Sequence, residues 1–103
     1  MSERRKLDQR RFSRVFDLRF WNQPWAVTIG YFPDRKTPGE VFINAQKTPG
    51  TDLDSQARDG AILMSLCLQY GCPVEVMRSA LTRNADGSPS AITGAIADQL
   101  LVE

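Results

Sequence analysis

The sequence predicts an α+β domain: a three-stranded antiparallel β-meander followed by about three helices packed on one face of the sheet. Two observations predict the class. Apolar residues alternate through the first half of the chain with short connections, and helical periodicity replaces the alternation in the second half. With 103 residues, 42% of them hydrophobic, the chain has the size and composition of one folded domain. We divide it into a basic, flexible N-terminal arm, residues 1–10, and a single domain, residues 11–103.

Period-two alternation predicts three strands, at residues 11–20, 25–32 and 40–45. Asn-Gln-Pro at 22–24 supplies the first turn, and the polar run Pro-Asp-Arg-Lys-Thr-Pro-Gly at 33–39 supplies the second. On the first strand, the residues predicted to share one side are Phe12, Arg14, Phe16, Leu18 and Phe20. On the second strand they are Trp25, Val27, Ile29 and Tyr31.

A long helix begins near Thr51 or Asp52, either of which can cap it, and Thr51 with Asp54 resembles a capping box. Gly71 is placed to end this helix in the left-handed conformation. Its apolar residues cover a wide face, which predicts a central position. They are Leu53, Ala57, Ala61, Leu63, Met64, Leu66, Cys67 and Tyr70.

Two shorter helices complete the chain. Pro73 suits the first turn of the second helix, and residues 83–89 form a loop. Ser88 or Ser90 then begins the last helix. Its apolar residues are Ile92, Ala95, Ile96 and Leu100.

Composition excludes several classes of function. The sequence has no histidine, so the usual catalytic triads and most zinc or non-haem iron sites are ruled out. Cys67 and Cys72 have the wrong spacing for a redox pair, and we interpret both as structural thiols, with Cys67 in the core. The carboxylates form no nucleophile–base set. We therefore expect no cofactor, no metal and no catalysis, and, without an apolar span or a secretory signal, a cytoplasmic location and no membrane partner.

Four segments of the chain, in order, resemble one known module. They are WAVTIGYF, GEVFINAQKTPG, ARDGAILMSLCLQYGCPVEVMRSAL and GSPSAITGAIADQL. Together they are similar to the TSCPD domain, which lies near the C-terminus of adenosylcobalamin-dependent (class II) ribonucleotide reductases and also occurs as small stand-alone proteins. The resemblance spans residues 25–101. It implies an accessory module without the reductase's catalytic machinery, in a setting of deoxynucleotide supply or DNA metabolism.

The chain departs from the TSCPD pattern at two places. The family's Gly-Lys-x-Gly element corresponds to residues 46–50, which have one residue more and lack the first glycine. In the Ser-Cys-Pro-Asp run that names the family, Ser88 stands at the cysteine position and Ser90 at the aspartate position. Any thiol or carboxylate role at that run is therefore absent from this chain.

Residues 46–51 allow two interpretations, a structural turn or an anion site at the start of the first helix. They lack the glycine frame of a phosphate-binding P-loop. Asp52 and Asp54 in the first helical turn would repel a phosphate, which favours the turn. If an anion does bind, the candidate residues are Lys47, Thr48, Gly50 and Thr51.

The N-terminal arm suggests a second binding site, because cations beside aromatic residues can track phosphates and stack bases. The alternative is a solubilising tail, since the net charge of the whole chain is only +1. The candidate residues for binding nucleic acid are Arg4, Arg5, Lys6, Arg10, Arg11 and Arg14.

Apolar residues on more than one face of the long helix favour a protein partner or a homodimer. Our first hypothesis is therefore a small non-catalytic interaction module of the TSCPD type, with a ribonucleotide reductase as one candidate partner. The alternatives are a nucleic-acid-binding protein that uses the arm, and a regulatory subunit of a separate reductase chain.

Overall fold

A computed structural model of the protein describes residues 3–47 and 49–100. Three strands come first, followed by three helices, as predicted. The strands are β1 (Ser13–Phe20), β2 (Gln23–Tyr31) and β3 (Pro38–Ala45). The helices are α1 (Asp52–Gln69), α2 (Val74–Ala80) and α3 (Ile92–Gln99). The α+β class of the sequence prediction is confirmed.

The sheet is antiparallel, with strands in the order β1-β2-β3. A two-residue turn joins β1 to β2, and both of its residues, Trp21 and Asn22, have positive φ angles of 52° and 59°. This geometry matches the right-handed twist of a hairpin. The register places Leu18 opposite Trp25 and Val27 opposite Ile43, so large apolar side chains of all three strands share one face.

That apolar face, together with α1 and α3, forms the core. Trp25 lies at its centre with no exposed surface, and its indole N–H donates to the carbonyl oxygen of Phe20 at 3.0 Å. Each fully buried large apolar side chain contributes about 1.5–3 kcal/mol to stability. The other largest fully buried side chains are Phe32, Ile29, Ile92, Ile96, Val27 and Val41.

Helix α1 starts and ends where the sequence predicts. The hydroxyl of Thr51 accepts from the backbone N–H of Asp54, and the carboxyl end gives way to Gly71 at φ 89°. The predicted wide apolar face is too wide, however. The buried stripe is Ala57, Ala61, Met64 and Leu68, whereas Leu53, Leu63, Cys67 and Tyr70 are exposed.

Helix α3 begins at Ile92, later than predicted, and neither Ser88 nor Ser90 caps it. Both hydroxyls serve the preceding loop instead. Ser88 donates to Asp86 at 2.6 Å, and Ser90 donates to Asn84 at 2.9 Å. These bonds hold residues 84–90 in a closed turn and delay the start of the helix.

Side chains of α1 take the place of a fourth strand along the outer edge of β3. The hydroxyl of Ser65 accepts from the Val41 N–H at 2.8 Å, and the Gln69 amide donates to the Gly39 carbonyl at 2.9 Å. Because an unpaired strand edge is a template for aggregation, this arrangement protects the edge and fixes the position of α1.

Candidate functional site

The turn at residues 46–51, a candidate anion site, is organised around a carboxylate of the chain itself. The side chain of Asp54 is buried and accepts from the backbone N–H groups of Gly50 at 2.9 Å and Ala45 at 3.2 Å. The bond from Gly50, with that from Ala45, lowers the pKa of Asp54 despite its burial. A negative charge therefore already occupies the position that a bound anion would take. Lys47 is exposed, and Thr48 lies outside the described residues.

Three of the six arginine and lysine residues proposed for nucleic acid are engaged by the domain. The Arg4 Nε donates to Gln69 at 2.6 Å, and Arg11 forms an ion pair with Glu40. Arg14 lies on the core side of β1, where its Nη2 donates to the carbonyl oxygen of Gln99 at 3.0 Å. These three side chains tie the N-terminal region to α1, β3 and α3.

The other three candidates, Arg5, Lys6 and Arg10, differ in how far they contact the domain. The guanidinium of Arg5 lies 3.7 Å from the centre of the Phe32 ring, and its backbone N–H donates to the Gln69 carbonyl at 2.7 Å. The side chains of Lys6 and Arg10 are exposed. The described part of the arm thus contacts the domain through Arg4 and Arg5, and the flexibility predicted for residues 1–10 stays a prediction.

The turn between β2 and β3 brings two further cations to the same end of the sheet. The Asp34 carboxylate accepts from the backbone N–H groups of Lys36 at 2.9 Å and Thr37 at 2.8 Å. Together with the hydroxyl of Thr37, these bonds lower the pKa of Asp34 to about 2. Arg35 adopts φ 60° in this turn, and its guanidinium lies 5.7 Å from the centre of the Phe12 ring.

We call this region the basic end. It consists of Lys6, Arg10, Phe12, Tyr31, Arg35 and Lys36. The rings of Phe12 and Tyr31 pack 5.4 Å apart, and a cleft of about 190 Å³ lies beside them. From the sequence, residues 33–39 are predicted only as a polar connection between two strands. The adjacent Arg-Lys pair was the signal that could have added them to the candidate site.

The face of the sheet opposite the core is a second candidate site, which we call the open face. Across it, Val15 lies opposite Thr28 and Thr28 opposite Phe42. Val15 is 69% exposed and Phe42 is 53% exposed. A groove of about 460 Å³ continues from Phe42 over the edge of β3 to Ile62 and Leu66 of α1. The open face and α1 therefore form one continuous, partly apolar surface.

One of the two thiols lies elsewhere than predicted. Cys67 is exposed and does not belong to the core, and Cys72 is half-buried, with its sulfur 3.6 Å from the carbonyl oxygen of Pro73. The prediction of Cys67 in the core was wrong because α1 has apolar residues on several faces, and the sequence alone does not show which of them meets the sheet. The buried residues of α1 nearest to Cys67 are Met64, three positions before it, and Leu68, directly after it.

Comparison with known proteins assigns no family. The chain matches no family model, no curated protein and no solved structure. The TSCPD resemblance therefore stays a prediction. Among residues 3–47 and 49–100, no cluster of three cysteine, aspartate or glutamate side chains is arranged to hold a metal ion. Within the same residues, no helix has the length and apolar character needed to cross a bilayer.

Proposed function

We propose that the chain is a small non-catalytic interaction module that binds another protein through the open face and the adjoining groove beside α1. The observation that supports this proposal is the exposure of Val15, Phe42 and Ile62 on one surface, each of them more than half exposed. Thr28 separates Val15 from Phe42, and Phe42 and Ile62 line the same groove. Single exposed apolar residues are common on any protein, but several of them on one surface favour a site of association.

The area of the open face indicates that a protein partner would also contact the groove beside α1. Three strands of eight or nine residues span about 14 Å by 27 Å, or roughly 400 Å². A standard protein–protein interface covers about 800 Å² on each partner. The open face alone is too small, and the groove lined by Ile62 and Leu66 supplies the additional apolar area.

A non-catalytic role fits the use of the carboxylates. Asp54 holds the turn before α1, Asp98 pairs with two arginines, and Glu40 pairs with Arg11. A general acid or base must reach a substrate with a matched pKa. These three groups are instead held in ion pairs or by backbone amides, and the pKa of Asp54 and of Asp98 is lowered, far from neutrality.

The TSCPD resemblance suggests the setting: deoxynucleotide supply or DNA metabolism in the cytoplasm, with the catalytic chain of a ribonucleotide reductase as the first partner to test. In that case the module acts as a regulatory subunit of a separate reductase. A second copy of the chain is the other candidate partner, because the open face has charges of both signs, including Asp17 and Arg19, and does not repel itself.

The test compares two variants with equally exposed apolar residues on different surfaces. Phe42→Glu changes the open face, and Val76→Glu changes α2, where Val76 is 54% exposed. Binding to the purified reductase chain of the same organism is measured by biolayer interferometry, and self-association by light scattering. We expect Phe42→Glu to weaken association at least about tenfold and Val76→Glu to leave it unchanged. A wild-type protein that stays monomeric at about 100 µM and does not bind the reductase would contradict the proposal.

A further inference from the structure

Charge is segregated along the molecule, although the net charge is close to zero. Residues 3–12 and 31–40 contain seven basic and four acidic side chains. The rest of the chain contains six basic and eight acidic side chains. One end of the protein is therefore positive and the remainder is negative. Such a dipolar distribution directs a polyanion to the positive end even when the whole molecule is nearly neutral.

Two of the four acidic side chains at the basic end are occupied, whereas Asp8 lines the cleft beside Phe12 and offsets part of its positive charge. Glu40 is paired with Arg11, and Asp34 accepts three hydrogen bonds inside its own turn. The cations are not occupied in the same way. Within the described residues, the side chains of Lys6, Arg10 and Lys36 form no hydrogen bond or ion pair. Their positive charge is available to a ligand.

One aromatic residue at this end, Phe12, is exposed enough for a base to stack on it, whereas Tyr31 is buried. Phe12 is 48% exposed and packs against Tyr31 at 5.4 Å. The guanidinium of Arg35 lies 5.7 Å from the centre of the Phe12 ring, so this side chain must move off the ring to let a base stack there. The cleft beside Phe12, at about 190 Å³, is smaller than the roughly 300–1,000 Å³ of sites that enclose a whole small molecule. It suits one planar ring inserted from an extended chain, and does not suit a complete coenzyme.

We propose that the basic end is a binding site for single-stranded nucleic acid, in which one base stacks on Phe12 while neighbouring phosphates contact Lys6, Arg10, Arg35 and Lys36. A single strand fits because its bases are free to leave the stack and reach an aromatic side chain, whereas bases within a duplex are not. This site differs from the arm predicted from the sequence: Arg4, Arg5, Arg11 and Arg14 no longer belong to it, and the turn residues Arg35 and Lys36 are added. The inference does not depend on the proposed protein-binding role.

The test measures fluorescence anisotropy of labelled 20-nucleotide probes: oligo-dT, oligo-U and a DNA duplex. We expect both single strands to bind more tightly than the duplex, and the dT and U probes distinguish DNA from RNA as the preferred strand. With four phosphate contacts, the affinity should fall about 50-fold between 50 and 200 mM salt. Phe12→Ser should weaken binding about tenfold through lost stacking, with an unchanged salt slope.

A charge variant and two controls complete the experiment. Replacing Arg10 and Lys36 together by glutamine should lower the salt slope by about 1.4 units. Arg19→Gln, at the opposite end of β1, and Phe42→Glu, on the open face, should have no effect, and circular dichroism verifies that every variant is folded. The inference is overturned if neither single strand binds at 50 mM salt, if the duplex binds more tightly, or if Phe12→Ser binds like wild type. It is also overturned if heparin, a polyanion without bases, loses as much affinity as oligo-dT in the Phe12→Ser variant.

Discussion

At the scale of single residues, Asp54 is the side chain on which the most local structure depends. Its carboxylate accepts from Gly50 and Ala45, and its backbone N–H donates to the Thr51 hydroxyl. It joins the end of β3, the following turn and the start of α1. The pKa of Asp54 is lowered because the two backbone N–H donors stabilise the charged carboxylate more than burial disfavours it.

We predict that Asp54→Asn destabilises the protein by about 1–3 kcal/mol, because an amide has one oxygen to accept with and directs its NH₂ group toward a backbone donor. For a domain of about 100 residues, that corresponds to a fall of roughly 4–20 °C in Tm. Asp52→Asn is the matched control, since Asp52 is exposed in the same helical turn and should cost only a few tenths of a kcal/mol. Equal melting temperatures of the two variants would contradict this account of the turn.

The arginines show what a sequence does not determine at this scale. Arg10 and Arg11 are neighbours of identical chemistry, yet Arg11 pairs with Glu40, 29 residues away, and Arg10 remains exposed. Arg14 alternates with apolar residues, as predicted, and the interaction of its guanidinium with the end of α3 depends on helix packing that periodicity does not encode. The residue types alone predict a basic surface, but tertiary contacts determine which arginine and lysine side chains remain free to bind a ligand.

At the scale of elements, α2 and α3 share few contacts apart from one charged cluster. Asp98 of α3 pairs with Arg78 of α2 at 3.0 Å and with Arg83 of the following loop at 2.7 Å. Hydrogen bonds from Arg83 and then Arg78 lower the pKa of Asp98 to about 2. The cluster fixes the loop at residues 82–90 as well as the second helix, which has only seven residues.

We predict that Asp98→Asn loosens α2 and the loop without unfolding the sheet. The expected cost is about 1–2 kcal/mol, because the carboxylate is partly exposed and two arginines share it. Hydrogen exchange should become faster in residues 74–90 and remain unchanged in β2. Glu75→Gln serves as the control, because Glu75 is an exposed residue of α2 outside the charged cluster. Uniform acceleration across the sheet would show that the cluster stabilises the whole fold and not this element.

The positions of the strands and helices were predicted more accurately than which of their faces are buried. Alternation and short connections determine three paired strands, and capping residues determine both ends of α1. The start of α3 and the orientation of Cys67 were predicted wrongly. Before α3, the serine hydroxyls close a loop instead of capping the helix. On α1, only one of several apolar stripes is buried, and Cys67 does not belong to it. Alternation predicted the covered side of β1 and β2, but β3 has three consecutive apolar residues, Val41, Phe42 and Ile43, so the sequence does not show that Phe42 lies on the open face.

At the scale of the whole molecule, the response to acid depends on the carboxylates, since the sequence has no histidine. Four aspartates have a lowered pKa in the folded state: Asp34, Asp54, Asp86 and Asp98. A group whose pKa is lower in the folded than in the unfolded state stabilises the fold above its unfolded pKa of about 3.9. That contribution is lost as the pH falls toward the folded value, about 2 for Asp34 and Asp98.

We therefore predict a melting temperature that is nearly constant between about pH 5.5 and 8 and falls steeply from about pH 4 to pH 2. Thermal unfolding followed by circular dichroism across this range is the measurement. Asp98→Asn should start from a lower melting temperature and show a shallower fall in acid, because one of the four linked groups is gone. A transition near pH 6–7 would contradict the assignment, since no side chain with an ordinary pKa in that range is present to cause it.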